Sequence, residues 1–316
     1  MLLNRHLSFI PHIKETKIKV IRPIQITPEK IISSTAVEEY SEWDSDTNYN
    51  TGDRVVYEYK VYESVAESNH NNTPSTSPTK WLLVGDSNKT AMFDNQVNTQ
   101  TTATTNLNVV FQPGTSFNTI AFLNLVGNSI SVKIKDKPGG VDIYDQTIKL
   151  NNDKYSVVDW YTYFFEDFDF IQEAVFQNVP PYSSATIEVN VDGGTGGLVA
   201  TGSVCVGSII EIGGTQYGAT YGNRDYSVKS TDEFGNTKFV ERNYSKRVSA
   251  NILMPNTRMN YVSRILENLR ATPTVYIPSD DIKFSRTVVF GFLKDWNIAI
   301  NYPNHSLISM DIEGLI

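Results

Sequence analysis

Three carboxylates stand among four phenylalanines in the run Phe164-Phe165-Glu166-Asp167-Phe168-Asp169-Phe170. Paired carboxylates are the equipment of general acid–base catalysis and of glycoside hydrolysis. Alternation of Phe with acids is equally the pattern of a half-buried strand, and the run reads better as a surface that docks a partner. The four histidines, His6, His12, His70 and His305, include no pair at helical metal-binding spacing. A single cysteine, Cys205, excludes an intramolecular disulfide and a Cys-based zinc site. Its neighbours Val204, Val206, Ile209 and Ile210 mark it as a small buried residue with no base beside it. The run Gly193-Gly194-Thr195-Gly196-Gly197 has neither the Gly-Lys-Ser/Thr ending nor the following helix of a phosphate loop, and it reads as a flexible connection between modules. No Gly-x-Ser-x-Gly is present, so a nucleophile elbow has no place. The expectation is a chain that is not an enzyme and uses no metal or cofactor.

A stronger signal lies in aromatic residues. Trp43, Tyr49, Tyr57, Tyr59, Tyr62 and Trp81 fall within a short stretch together with Gly52-Asp53 and many Asn, Thr and Ser residues. A sugar ring presents an apolar face of C–H groups, against which a flat aromatic ring can stack. Nearby amides, carboxylates and hydroxyls can then take up its hydroxyl groups. Trp43, Tyr49, Tyr57, Tyr59 and Trp81 are therefore the candidate carbohydrate contacts. Fewer than fifty residues bury little apolar area, so some of these rings must also serve as core. Core is the more ordinary use of Trp43, Tyr62 and Trp81.

The elements that would position these groups are mostly strands. The 316 residues are enough for two or three domains, and 40% apolar with 11% aromatic residues can fill several cores. Only 20% are charged, and the abundant Asn, Thr and Ser beside Val, Ile and Tyr suit strands joined by turns. A net charge of −8 repels a phosphate backbone, which argues against nucleic acid as partner. The local cluster Arg242, Lys246 and Arg247 reads as the solvated face of a strand. No apolar stretch is long enough to span a bilayer, and no apolar segment follows the N-terminal charges Arg5, Lys14, Lys17 and Lys19. Synthesis in a cytoplasm without membrane insertion is the expectation.

Read along the chain, the pattern predicts a mainly β, multi-domain protein. Residues 1–39 form an extended arm, with Ile18, Val20, Ile21, Ile24 and Ile26 interrupted by Pro23 and Pro28. Residues 40–85 form the small aromatic module. Residues 86–200 form a jelly-roll-like β-sandwich. Its strands are the alternating Leu107-Val109-Phe111, Ile130-Val132-Ile134 and Ile187-Val189-Val191, and the largely apolar stretch from Phe117 to Val126 reads as buried on both faces. Residues 201–316 form an α+β assembly unit. Within it, Asp232 to Asn236 turns a hairpin between strands at Tyr226–Ser230 and Lys238–Arg242. The one clear helix spans residues 257–271, capped by Asn256 and ending before Thr272-Pro273. Its stripe Val262, Ile265, Leu266 and Leu269 should pack on strands at 248–253, 288–293 and 307–312.

The spacing Trp43…Tyr49-xx-Gly52-Asp53-x-Val55…Val61-Tyr62-Glu63-Ser64…Pro78-xx-Trp81-xx-Val84 resembles the short carbohydrate-binding modules of families 5 and 12 found on chitinases. Those modules commonly carry an exposed pair of adjacent aromatics after the tyrosine stretch, where this chain has Val65-Ala66-Glu67-Ser68. Further stretches are similar to bacteriophage virion proteins that embed a module of this type. They include Pro23-Ile-Gln-Ile-Thr27, residues 85–94, 230–236 and 247–255, Leu269-Arg-Ala-Thr-Pro273 and Asp311-Ile-Glu313-Gly314-Leu315. That resemblance implies a tail, baseplate or collar component of the virion, assembling as a ring with itself and with other virion proteins, its module turned toward host cell-surface polysaccharide. The alternative is the accessory glycan-binding region of a secreted polysaccharide-active enzyme.

Overall fold

The computed structural model describes residues 16–150, 171–231, 233–279 and 286–315. The acidic Phe164–Phe170 run, His6, His12 and Asp232 lie outside the described residues. The N-terminal part contributes β1 (Lys17–Ile24) and β2 (Ile31–Ser34). The small module follows with β3 (Asn48–Tyr49), β4 (Arg54–Tyr57), β5 (Lys60–Ser64), β6 (Asn69–His70) and β7 (Trp81–Asp86). Next come β8 (Thr101–Thr104), β9 (Asn106–Phe111), β10 (Thr119–Val126), β11 (Ser129–Lys135), β12 (Asp142–Lys149), β13 (Ala174–Phe176) and β14 (Thr186–Asp192). The long β15 (Leu198–Thr215) leads into β16 (Thr220–Asp225), β17 (Val228–Thr231), β18 (Thr237–Val240) and β19 (Tyr244–Pro255). Helix α1 (Met259–Asn268) precedes β20 (Thr274–Ile277), β21 (Val289–Ala299) and β22 (His305–Gly314). The protein is mainly β and multi-domain, with one α-helix among the described residues.

The sandwich sets the five-stranded sheet β12-β11-β14-β9-β2 against the β13-β10-β15 part of a larger sheet. Period-two alternation delivers the core. Leu107, Val109 and Phe111, Ile130, Val132 and Ile134, and Ile187, Val189 and Val191 face Ile120, Phe122, Phe176, Val204 and Val206 in one buried cluster. The stretch in β10 is covered on both sides, because Ala121 and Leu123 point away from this core into a second one with Ile21, Cys205 and Phe290. Burial of Cys205 pushes its thiol up to about 11.

The larger sheet closes on itself. Strands β15, β1, β20, β21, β22 and β19 pair in that order, and β19 returns to β15 through Gly214↔Leu253 and Thr215↔Ile252. The result is a six-stranded antiparallel barrel, which removes the edges those strands would otherwise expose. At the seam the backbones crowd, since a Cβ on Gly213 would stand 2.5 Å from the Leu253 carbonyl oxygen. Ile18, Val20, Ile252, Tyr276, Ile308 and Met310 fill the interior, and Val262 and Leu266 of α1, with Leu269 at its C-terminal cap, join the same cluster. The helix and its packing partners agree with the sequence reading, though its α-helical part is shorter than residues 257–271, running Met259–Asn268 after a 3-10 turn.

Four expectations need correction. The described part of the arm is not peripheral: β1 is a barrel strand, with Ile18, Val20 and Ile21 fully buried. Pro23 is tolerated there because pairing with β20 covers only Lys19 and Val20, so no strand of the described residues asks Pro23 for an N–H on that side. The expected boundary at 200/201 falls inside β15, whose first half pairs with β8 and β10 and whose second half pairs with β1. The glycine run is no flexible connection, because it turns β14 into β15 under backbone bonds from Gly193 to Thr105 (2.8 Å) and from Thr105 to Gly197 (2.7 Å). Asn256 does not cap α1. Its amide nitrogen donates to the Tyr302 and Pro303 carbonyls at 3.1 and 2.9 Å, pinning the β21–β22 turn, and a 3-10 turn over Asn256–Arg258 leads into the helix.

Candidate carbohydrate-binding site

The module is two small sheets, β3-β6 and β4-β5-β7, around a few large rings. Tyr49 and Trp81 meet edge to face with centroids 5.2 Å apart, above Val55. Each polar tip is satisfied: the Asp44 N–H donates to the Tyr49 hydroxyl at 2.8 Å, and the Trp81 indole N–H donates to the Asn72 carbonyl at 2.8 Å. With 7% and 3% of their surface exposed, these two rings are the module's core and offer no face to a sugar. The Gly52-Asp53 pair is equally structural. Gly52 takes φ +93°, its N–H donates to the Ser64 carbonyl at 2.8 Å, and the Asp53 carboxylate accepts from the Asn50 N–H at 2.7 Å. Buried Asn69 donates to the Ser64 hydroxyl at 3.1 Å. The recognisable spacing is thus mostly the spacing of a fold.

The remaining candidates stay accessible. Trp43 and Tyr57 are half-buried and pack edge to face at 5.5 Å. The Trp43 indole nitrogen is enclosed without a hydrogen-bond partner among the described residues. Tyr59 is 46% exposed and occupies the turn between β4 and β5. Both turn residues, Glu58 and Tyr59, have positive φ (49° and 62°), as a two-residue type I′ turn requires. That turn prefers Asn-Gly, and a bulky side chain in the left-handed region costs on the order of 1–3 kcal/mol. The surroundings hold it from behind: the Tyr59 carbonyl accepts from the Ser87 N–H at 2.9 Å and from the Thr90 hydroxyl at 3.1 Å. Lys60, just after the turn, is ion-paired with Asp86.

Sequence reasoning did not find the exposed row Leu82, Leu83 and Val84 on β7, which forms the free edge of its sheet. Their apolar character pointed inward, and only the order β4-β5-β7 reveals that no strand of the described residues lies beyond them. Nor did it find the strain at Glu58-Tyr59, because neither residue type signals a type I′ turn. Among the described residues no cluster of three or more His, Cys, Asp or Glu has metal-binding geometry, and no helix is long and apolar enough to cross a membrane.

No protein-family model matches the chain, and no curated protein matches it. Among solved structures it is similar to chitosan-binding module 1 of a chitosanase/glucanase from Paenibacillus sp. IK-5, in its V110M form. The identity is 10% over 38% of this chain and 83% of that one, with a TM-score of 0.25. A likeness at that level carries no argument about what this chain binds.

Proposed function

We propose that the chain is a non-enzymatic structural component of a bacteriophage virion, in the tail, baseplate or collar. In this reading it assembles as a ring with copies of itself and with other virion proteins, and it turns its small module toward host-surface glycan. The sequence stretches similar to virion proteins support the setting. A sandwich and a barrel sharing one continuous strand support the structural role, because such a scaffold transmits load without an interdomain linker. The observation that carries the glycan reading is Tyr59, an aromatic ring held in solvent by a strained and clamped turn. Strain of that kind persists where the surroundings over-determine it, and it gathers at functional positions.

A glycan array probed with the intact protein tests the module. Binding to a polysaccharide, weakened by about 1–3 kcal/mol in Tyr59→Ala with folding unchanged, is the expected result. Absence of binding across the array removes the glycan role. Immunogold electron microscopy of purified particles tests the setting, with label on the tail or neck as the expected outcome.

A further inference from the structure

Two elements of this chain are uncovered in complementary ways. The first is the excursion from β16 through β18. Every described residue of β16, β17 and β18 is exposed, and among the described residues β17 and β18 pair only with each other. An isolated two-stranded ribbon is marginal in water, yet this one holds Phe234 at 90% and Phe239 at 70% exposure. Val228 and Val240, directly opposite one another, give one ribbon face an apolar patch, and Phe239 with the Lys229 ammonium 5.5 Å over its ring gives the other. The second element is β7, an edge strand whose Leu82, Leu83 and Val84 are exposed in succession. Natural edge strands are usually blunted by Lys, Pro or a bulge; that trio has no Lys or Pro, and its one irregularity is a register shift against β5 at Val84.

Charge separates the two. Residues 38–86 hold ten Asp and Glu against three Lys and Arg, a net −7 of the chain's −8. Residues 216–247 hold six Lys and Arg against four Asp and Glu, a net +2. Copies of so acidic a chain repel one another except where a positive surface of one meets the negative surface of another.

We propose that the 216–244 ribbon of one copy adds edge-to-edge to β7 of a second copy, with Lys229, Lys238 and Arg242 facing the acidic module. This inference rests on the self-assembly proposed above and assigns its surface. The two surfaces differ, so the contact is head-to-tail and builds a ring where the rotation closes. Strand addition satisfies the backbone groups of both edges, and the apolar rows exclude water from them.

Sedimentation velocity and native mass spectrometry of the full chain, from sub-micromolar to tens of micromolar, test it. The parent should self-associate, and more weakly at high salt. Lys229→Glu with Lys238→Glu should weaken association by about tenfold or more, with the thermal midpoint unchanged. Adding Glu58→Lys and Glu67→Lys to that chain should restore it. Leu83→Lys, on the other surface, should weaken it independently. A parent that stays monomeric throughout overturns the self-assembly reading and this inference together. A parent that associates while the ribbon and Leu83 variants match it overturns this inference alone.

Discussion

In the barrel, fifteen buried side chains from six strands, α1 and its C-terminal cap form one cluster, whereas the module's cluster is Tyr49, Val55 and Trp81, with Trp43 and Tyr62 half-covering them. The barrel spends aliphatic residues on an interior closed by strand pairing. The module has too few residues to enclose anything, so it relies on two large rings whose polar tips are hydrogen-bonded. The difference teaches where each region tolerates change. A barrel position is decided by burial alone, while in the module burial, polar satisfaction and exposure fall on neighbouring aromatics of similar type.

The largest effect should come from Leu266→Asp. Leu266 is fully buried among barrel residues, and an unpaired carboxylate there costs more than most domains have to spare, about 4 kcal/mol or more. The barrel should not fold, and loss of cooperative urea unfolding would be the readout. Arg264→Ala, on the exposed face of the same helix, should change stability by less than about 0.5 kcal/mol. A variant at Leu266 that melts like the parent would break the claim that α1 belongs to the core.

Trp81→Ala should come next, at about 3–5 kcal/mol for the module. Because the module's cluster shares no residue with the barrel's, hydrogen exchange should rise across residues 40–86 and stay low in β1, β15 and β22. Loss of protection in all of them would show the two regions to be one cooperative unit.

The smallest effect sharpens the contrast within the module. Glu58→Gly relieves one left-handed residue and should stabilise by about 1 kcal/mol. Tyr59→Gly should stabilise as well but abolish glycan binding, so stability and binding move in opposite directions. Thermal unfolding beside an array measurement reads both. A Tyr59→Gly variant that is less stable than the parent would mean that the tyrosine is held for packing.

Much of the fold was legible locally. Alternation in Leu107-Val109-Phe111 and Ile187-Val189-Val191, and the i, i+3, i+4, i+7 stripe of α1, appear in the sequence because periods of two and 3.6 residues belong to the local backbone geometry. The module's extent was legible for a similar reason: Gly52-Asp53, Tyr49 and Trp81 recur at spacings that its small core demands.

What only the tertiary structure decided is whatever depends on partners far along the chain. Lys17–Ile24 looked like an arm because its apolar residues have no core nearby in sequence, yet its partner β15 begins at Leu198 and supplies one. Closure through Gly214↔Leu253 and the passage of β15 across a presumed boundary carry no local pattern, since a strand reads the same whatever pairs with its edges. The same holds for the aromatics. Tyr49 and Tyr59 are chemically identical, and sequence by itself made both candidates. One is buried beneath Trp81 and the other stands in solvent on a left-handed turn, because burial is a property of the assembled neighbours and not of the residue.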